Sequence, residues 1–174
     1  MAASRLGVAV GVGLLLLTGC SSTDEADIRY ASAYGYHPPL AVVGYPSTGT
    51  LGIAQELVWG IAEADPERLA SLAGDKAGTR AAKATAGNWV GAFGDGARGQ
   101  VTADFYDEGS KRQLVVLYFH KTQQVKAVMV TIWGNAEVGG WCVIMDEPDP
   151  REASAQPLPW IPAQPGGAGS KTPL

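Results

Sequence analysis

The chain has 174 residues and a formal charge of −4, with 13 Lys and Arg against 17 Asp and Glu. That balance, with no basic cluster beyond Ser110-Lys111-Arg112, argues against a nucleic-acid partner. The two His (37 and 120) and two Cys (20 and 142) lack metal-ligand spacing, so neither a metal nor another cofactor is expected.

The first element is a short segment with one positive charge, Arg5, followed by an uncharged stretch from Leu6 to Leu17. That stretch suits the apolar region of a signal peptide, whereas a membrane-spanning helix needs roughly 20 apolar residues. It ends in Leu17-Thr18-Gly19-Cys20. This boundary resembles the bacterial lipoprotein signal, the lipobox. The resemblance implies cleavage after residue 19, a diacylglyceryl group on the Cys20 thiol, and a protein held by lipid on the outer side of the cell membrane. Two or more acyl chains make a stable anchor, since each buried methylene contributes roughly 0.8 kcal/mol. Loss of Arg5 leaves the mature chain still more acidic, so the lipid should be its only membrane contact.

Residues 20–49 read as the lipidated Cys and an irregular spacer. "SSTDEAD" is polar and acidic, and residues 28–49 carry four Tyr, three Pro and three Gly without a lasting period. A domain over 50–146 follows. Ile53, Leu57 and Ile61 form an apolar stripe at helical spacing, with Thr50 as the expected cap. Asp65 as cap, Pro66 in the first turn and Gly74 as stop predict a second, short helix. A third spans about 79 to 93, with Ala82, Ala86, Trp89, Val90 and Phe93 as its apolar face, and "GDGARG" ends it.

The period then changes to two. Runs at 100–106, 113–120, 125–133 and 138–145, joined by hairpin-sized connections, predict four strands. Their fold class is α+β, with N-terminal helices packed on a curved four-stranded antiparallel sheet. Cys142, within "GWCVIM", is expected to be a buried, inert thiol. Residues 147–174 hold seven of the eleven prolines and predict a disordered tail, with "LPWIP" as an apolar island that can dock.

The order of elements from 51 to 146, helices first and then an antiparallel meander, resembles the nuclear-transport-factor-like, SnoaL-like (cystatin-like) superfamily. The resemblance implies a cone-shaped domain with a pocket between helices and sheet, where enzymes of the family use carboxylates, His or Tyr as acids and bases. Candidate pocket residues are Tyr118, His120 and Trp89. Four-residue hairpin connections would pair Tyr106 with Lys111 and put Asp104 and His120 on opposite faces, which disfavours a dyad. No catalytic constellation is recognised.

The leading reading is therefore a non-catalytic lipoprotein module that binds a ligand or partner outside the membrane. Its alternatives are a small-molecule enzyme of isomerase or hydratase type acting on an apolar substrate, and a structural accessory of an envelope or secretion assembly. One sheet face, carrying Val115, Leu117, Phe119, Val128, Val130, Ile132, Trp141 and Val143, is expected to be left over by the helices. A contiguous patch of that size needs cover, and a second copy or an envelope protein is preferred over the segment before residue 50.

Overall fold

The computed structural model describes residues 36–37, 40–107, 109–132, 140–149 and 153. The signal, Cys20, Trp133 and most of the Pro-rich tail lie outside the described residues. The fold runs β1 (Ala41–Gly44), α1 (Thr48–Ala62), α2 (Pro66–Ser71), a 3-10 turn (Gly74–Lys76), α3 (Arg80–Ala97), β2 (Val101–Asp107), β3 (Arg112–Phe119), β4 (Gln124–Ile132) and β5 (Trp141–Ile144). The sheet is five-stranded in sequential order, with β1 parallel to β2 and the rest antiparallel. The α+β class stands, but the four-stranded antiparallel sheet is corrected. A short strand inside the segment read as irregular precedes the helices and pairs Ala41 with Thr102 through Gly44 with Phe105.

The helices start where side-chain oxygens meet free backbone amides. Ser47, not Thr50, caps α1: its Oγ accepts from the Thr50 amide at 3.1 Å, and the Thr50 hydroxyl donates back to the Ser47 carbonyl. Asp65 caps α2 by accepting from the Arg68 amide at 3.0 Å, with Pro66 in the first turn where no amide is needed. Thr79 does the same for α3 through Ala82. The expected stop at "GDGARG" is also corrected, because α3 continues to Ala97. Gly96 explains why. A Cβ there would lie 2.7 Å from the Phe119 Cβ and 2.5 Å from the Thr122 hydroxyl, so glycine lets the last helical turn touch the sheet.

The helices cover one sheet face. Ile53, Leu57 and Ile61 of α1 and Trp89 and Phe93 of α3 share a core with Ala103, Phe105, Val115, Leu117, Phe119, Val128, Val130 and Val143. Phe93 and Phe119 stack at 5.4 Å between centroids, and Trp89 meets Phe93 edge-on at 6.0 Å. The face expected to need an outside partner is thus the one beneath the helices. Val130, at its centre, is 0% exposed in a single chain. Association through that face would require the helices to leave.

Both ends of the sheet's far edge are tied down. The Val143 amide donates to the Leu72 carbonyl at 2.8 Å, so the loop after α2 blunts the β5 edge. Beyond β5, the Trp89 indole donates to the Asp146 carbonyl at 2.6 Å, and Glu147 accepts from Thr85 and Asn88. Those hydrogen bonds, the one from Thr85 first, hold the Glu147 carboxyl below its ordinary range.

The outer side of α3 offers a direct test of its packing. Gly87 and Gly91 are exposed, and a Cβ at either would meet nothing within 4 Å. Gly87→Ala and Gly91→Ala should each raise the urea unfolding midpoint, by about 0.5–1 kcal/mol of stability. Gly96→Ala, which drives a methyl into Phe119, should lower it.

Candidate functional site

The register of β2 on β3 decides which polar groups meet. Asp107 pairs with Gln113, so five residues, not four, connect the strands, with Gly109 at φ +111 in the turn. The odd difference turns every β2 side chain over relative to the expectation. Asp104 and His120 therefore share the face away from the helices, together with Thr102, Tyr106 and Tyr118.

On that face the groups are bonded among themselves. His120 Nε2 and Thr102 Oγ1 share a hydrogen bond of 2.8 Å, and the Tyr106 hydroxyl donates to Asp104 Oδ2 at 3.1 Å. Tyr118 meets the His120 ring edge-on at 4.7 Å. Asp104 is fully buried and Thr102 nearly so, whereas His120 is exposed. Around them, Val116 and Val125 form a small apolar cluster with Tyr106, Leu114, Tyr118 and Ala127. Thr102 and Tyr106 were absent from the candidate list. The correct hairpin parity would have found them, since they alternate with Asp104 on β2.

Trp89 does not join this group. It is buried on the opposite side of the sheet, under α3, with the Lys126 ammonium 5.2 Å from its ring centroid. The three candidate pocket residues thus divide: Tyr118 and His120 stay together, and Trp89 belongs to the core.

A second polar cluster was not read from the sequence. His37 Nε2 lies 2.8 Å from Glu63 Oε1, and its ring stacks on Trp59 at 5.5 Å. Arg68 donates from Nη1 to Glu63 and from Nε and Nη2 to Glu56 at 2.6–2.8 Å. Burial opposes the Arg68 charge, but the bonds and charges of Glu56 and then Glu63 outweigh it and raise its pKa. Ala64, at φ 57, makes the turn that folds α2 back so that Arg68 reaches α1. The spacing of Glu56 and Glu63, two helical turns apart, is the signal that could have revealed this face.

Among the described residues, no group of three or more His, Cys, Asp or Glu is placed to hold a metal ion. No described helix is long and apolar enough to cross a membrane. No protein-family model, curated protein or solved structure matches the chain.

The outer-face polar pairs make a testable distinction between buried and exposed partners. Tyr106→Phe removes a donor from a fully buried carboxylate and should cost about 1–3 kcal/mol. His120→Ala, at an exposed ring, should cost about 1 kcal/mol or less. Urea unfolding of the two variants checks the order; equal losses would deny the buried pair its weight.

Proposed function

We propose that this protein is a lipid-anchored, extracytoplasmic binding module without catalytic activity, attached to the membrane through Cys20. The observation that carries the anchor is Leu17-Thr18-Gly19-Cys20 behind an uncharged run of signal-peptide length. The domain's architecture supports binding over catalysis. In a SnoaL-like enzyme the substrate enters between helices and sheet, whereas here Trp89, Phe93, Leu117 and Phe119 fill that layer with fully buried side chains. The polar groups of the other face engage one another, Thr102 with His120 and Tyr106 with Asp104.

A contact surface for a partner is available at one end of the sheet. Tyr45 is 77% exposed and Ile132 is 45% exposed. They flank the start of β3: the Ile132 amide bonds to the Lys111 carbonyl and the Gln113 side chain donates to the Tyr45 carbonyl. An aromatic and an aliphatic residue raised beside a polar rim suit a protein partner in the envelope.

The anchor is tested by growing a lipoprotein-processing bacterial host with labelled fatty acid. The wild-type chain should take up label, and Cys20→Ala should take up none and persist as precursor. An unlabelled wild-type chain refutes the anchor. For the binding part, a photo-cross-linking residue at 45 or 132 should give a discrete adduct in cells, and silence at both positions would count against it.

A further inference from the structure

We propose that the segment after β5 is a displaceable internal ligand, and that its seat beside α3 takes an extended, carboxylate-bearing segment of a partner protein. The ladder between β4 and β5 ends at Met129 and Ile144, and residues 145–149 run on without strand pairing. Four side chains donate to the stretch that follows. Thr85 and Asn88 donate to the two Glu147 carboxylate oxygens at 2.5 and 2.7 Å, and the Trp89 indole donates to the Asp146 carbonyl at 2.6 Å. Further on, the Gln124 side chain donates to the Ala153 carbonyl at 2.7 Å while also reaching the Ala92 carbonyl of α3.

The seat and its occupant differ in how firmly they are placed. Trp89 is 0% exposed, and Gln124 and Lys126 are buried, with the Lys126 ammonium over the Trp89 ring. Asp146, Glu147 and Asp149 are exposed. The floor of the seat thus belongs to the folded core, whereas the occupant is held by polar bonds at the surface. Such a segment opens at far less cost than the helix beneath it. Pro148 and Pro150 have no amide to donate, so the segment is a poor continuation of the sheet.

What the seat recognises is read from what fills it. Thr85 and Asn88 stand one turn apart on one side of α3, and each takes one oxygen of a single carboxylate. One residue earlier, a main-chain carbonyl meets the indole. These groups all donate, and Lys126 adds a cation to the floor, so an Asp or Glu in an extended chain fits and a basic segment does not. The tethered occupant competes at an effective concentration in the millimolar range, on the order of 1 mM. A partner therefore displaces it only by adding contacts elsewhere on the domain. The seat is separate from the Tyr45–Ile132 surface and needs no lipid at Cys20.

The test follows the indole signals of the full chain by nuclear magnetic resonance, where the Trp89 signal is the one lost in Trp89→Phe. The probe is a synthetic peptide with the sequence of residues 144–153, "IMDEPDPREA". In the Glu147→Ala chain the peptide should move the Trp89 signal back towards its wild-type position. It should bind that chain at least about tenfold more tightly than the wild-type chain. A Glu147→Gln peptide should bind at least about tenfold less tightly than the parent peptide. In the wild-type chain the Trp89 indole proton should be at least about tenfold less protected from solvent exchange than the Phe93 and Leu117 amides. Indole protection equal to theirs would overturn the proposal, because the segment would then leave only when the domain unfolds. So would equal affinity for the two peptides, or a Trp89 signal that neither peptide moves in Glu147→Ala while the other indole signals stay native.

Discussion

A side chain in a β-strand has two faces available, and the five-residue loop between β2 and β3 makes that choice for the sheet. With Asp107 opposite Gln113, the small and aromatic side chains of β2, Val101, Ala103 and Phe105, lie beside Val115, Leu117 and Phe119 under the helices. A loop shorter by one would send Thr102, Asp104 and Tyr106 into that layer instead. Withdrawing Phe105 from that layer forfeits about 1.5–3 kcal/mol. The aromatic packing of α3 and the separation of polar from apolar groups both follow from this one register.

Once the register is set, four polar residues of the outer face bond in pairs. Thr102 and His120 sit near one end of the β2–β3 pair, and Asp104 and Tyr106 sit further along it. Their hydrogen bonds tie side chains within a strand and between strands, which rigidifies the sheet and penalises slippage. The arrangement ties β2 to β3 through side chains as well as through the backbone ladder.

The helices were legible because their signals are local. Asp65-Pro66 and Thr79 mark starts by chemistry confined to one turn, and the apolar spacing of Ile53, Leu57 and Ile61 needs no distant partner. The departures arise where the deciding contact is remote. β1 has four residues, and its partner β2 follows only after the three helices, with no hairpin to announce the pairing. Gly96 resembles a helix stop until Phe119 is seen to require the close approach. The sorting of β3, β4 and β5 into faces was right, since their registers differ from the expected ones by an even number of residues. That of β2 failed by an odd one. Tyr118 beside His120 was readable from alternation alone, and Trp89 lies, as its helical spacing predicted, on the apolar face of α3, across the sheet from them.

The polar cluster at the end of α1 gives this architecture a mechanical consequence. Among the described residues β1 is a short parallel edge strand paired on one side, and it is the element that a pull on the preceding chain would peel away first. Before any force along the chain reaches it, the force meets His37, stacked on Trp59 and bound to Glu63. Glu63 is in turn held by Arg68, which also grips Glu56 two turns back along α1. The load thus passes into two helices, while Leu40 in the core secures the next link. Such a clasp spares the four-residue strand that carries Val43 into the sheet.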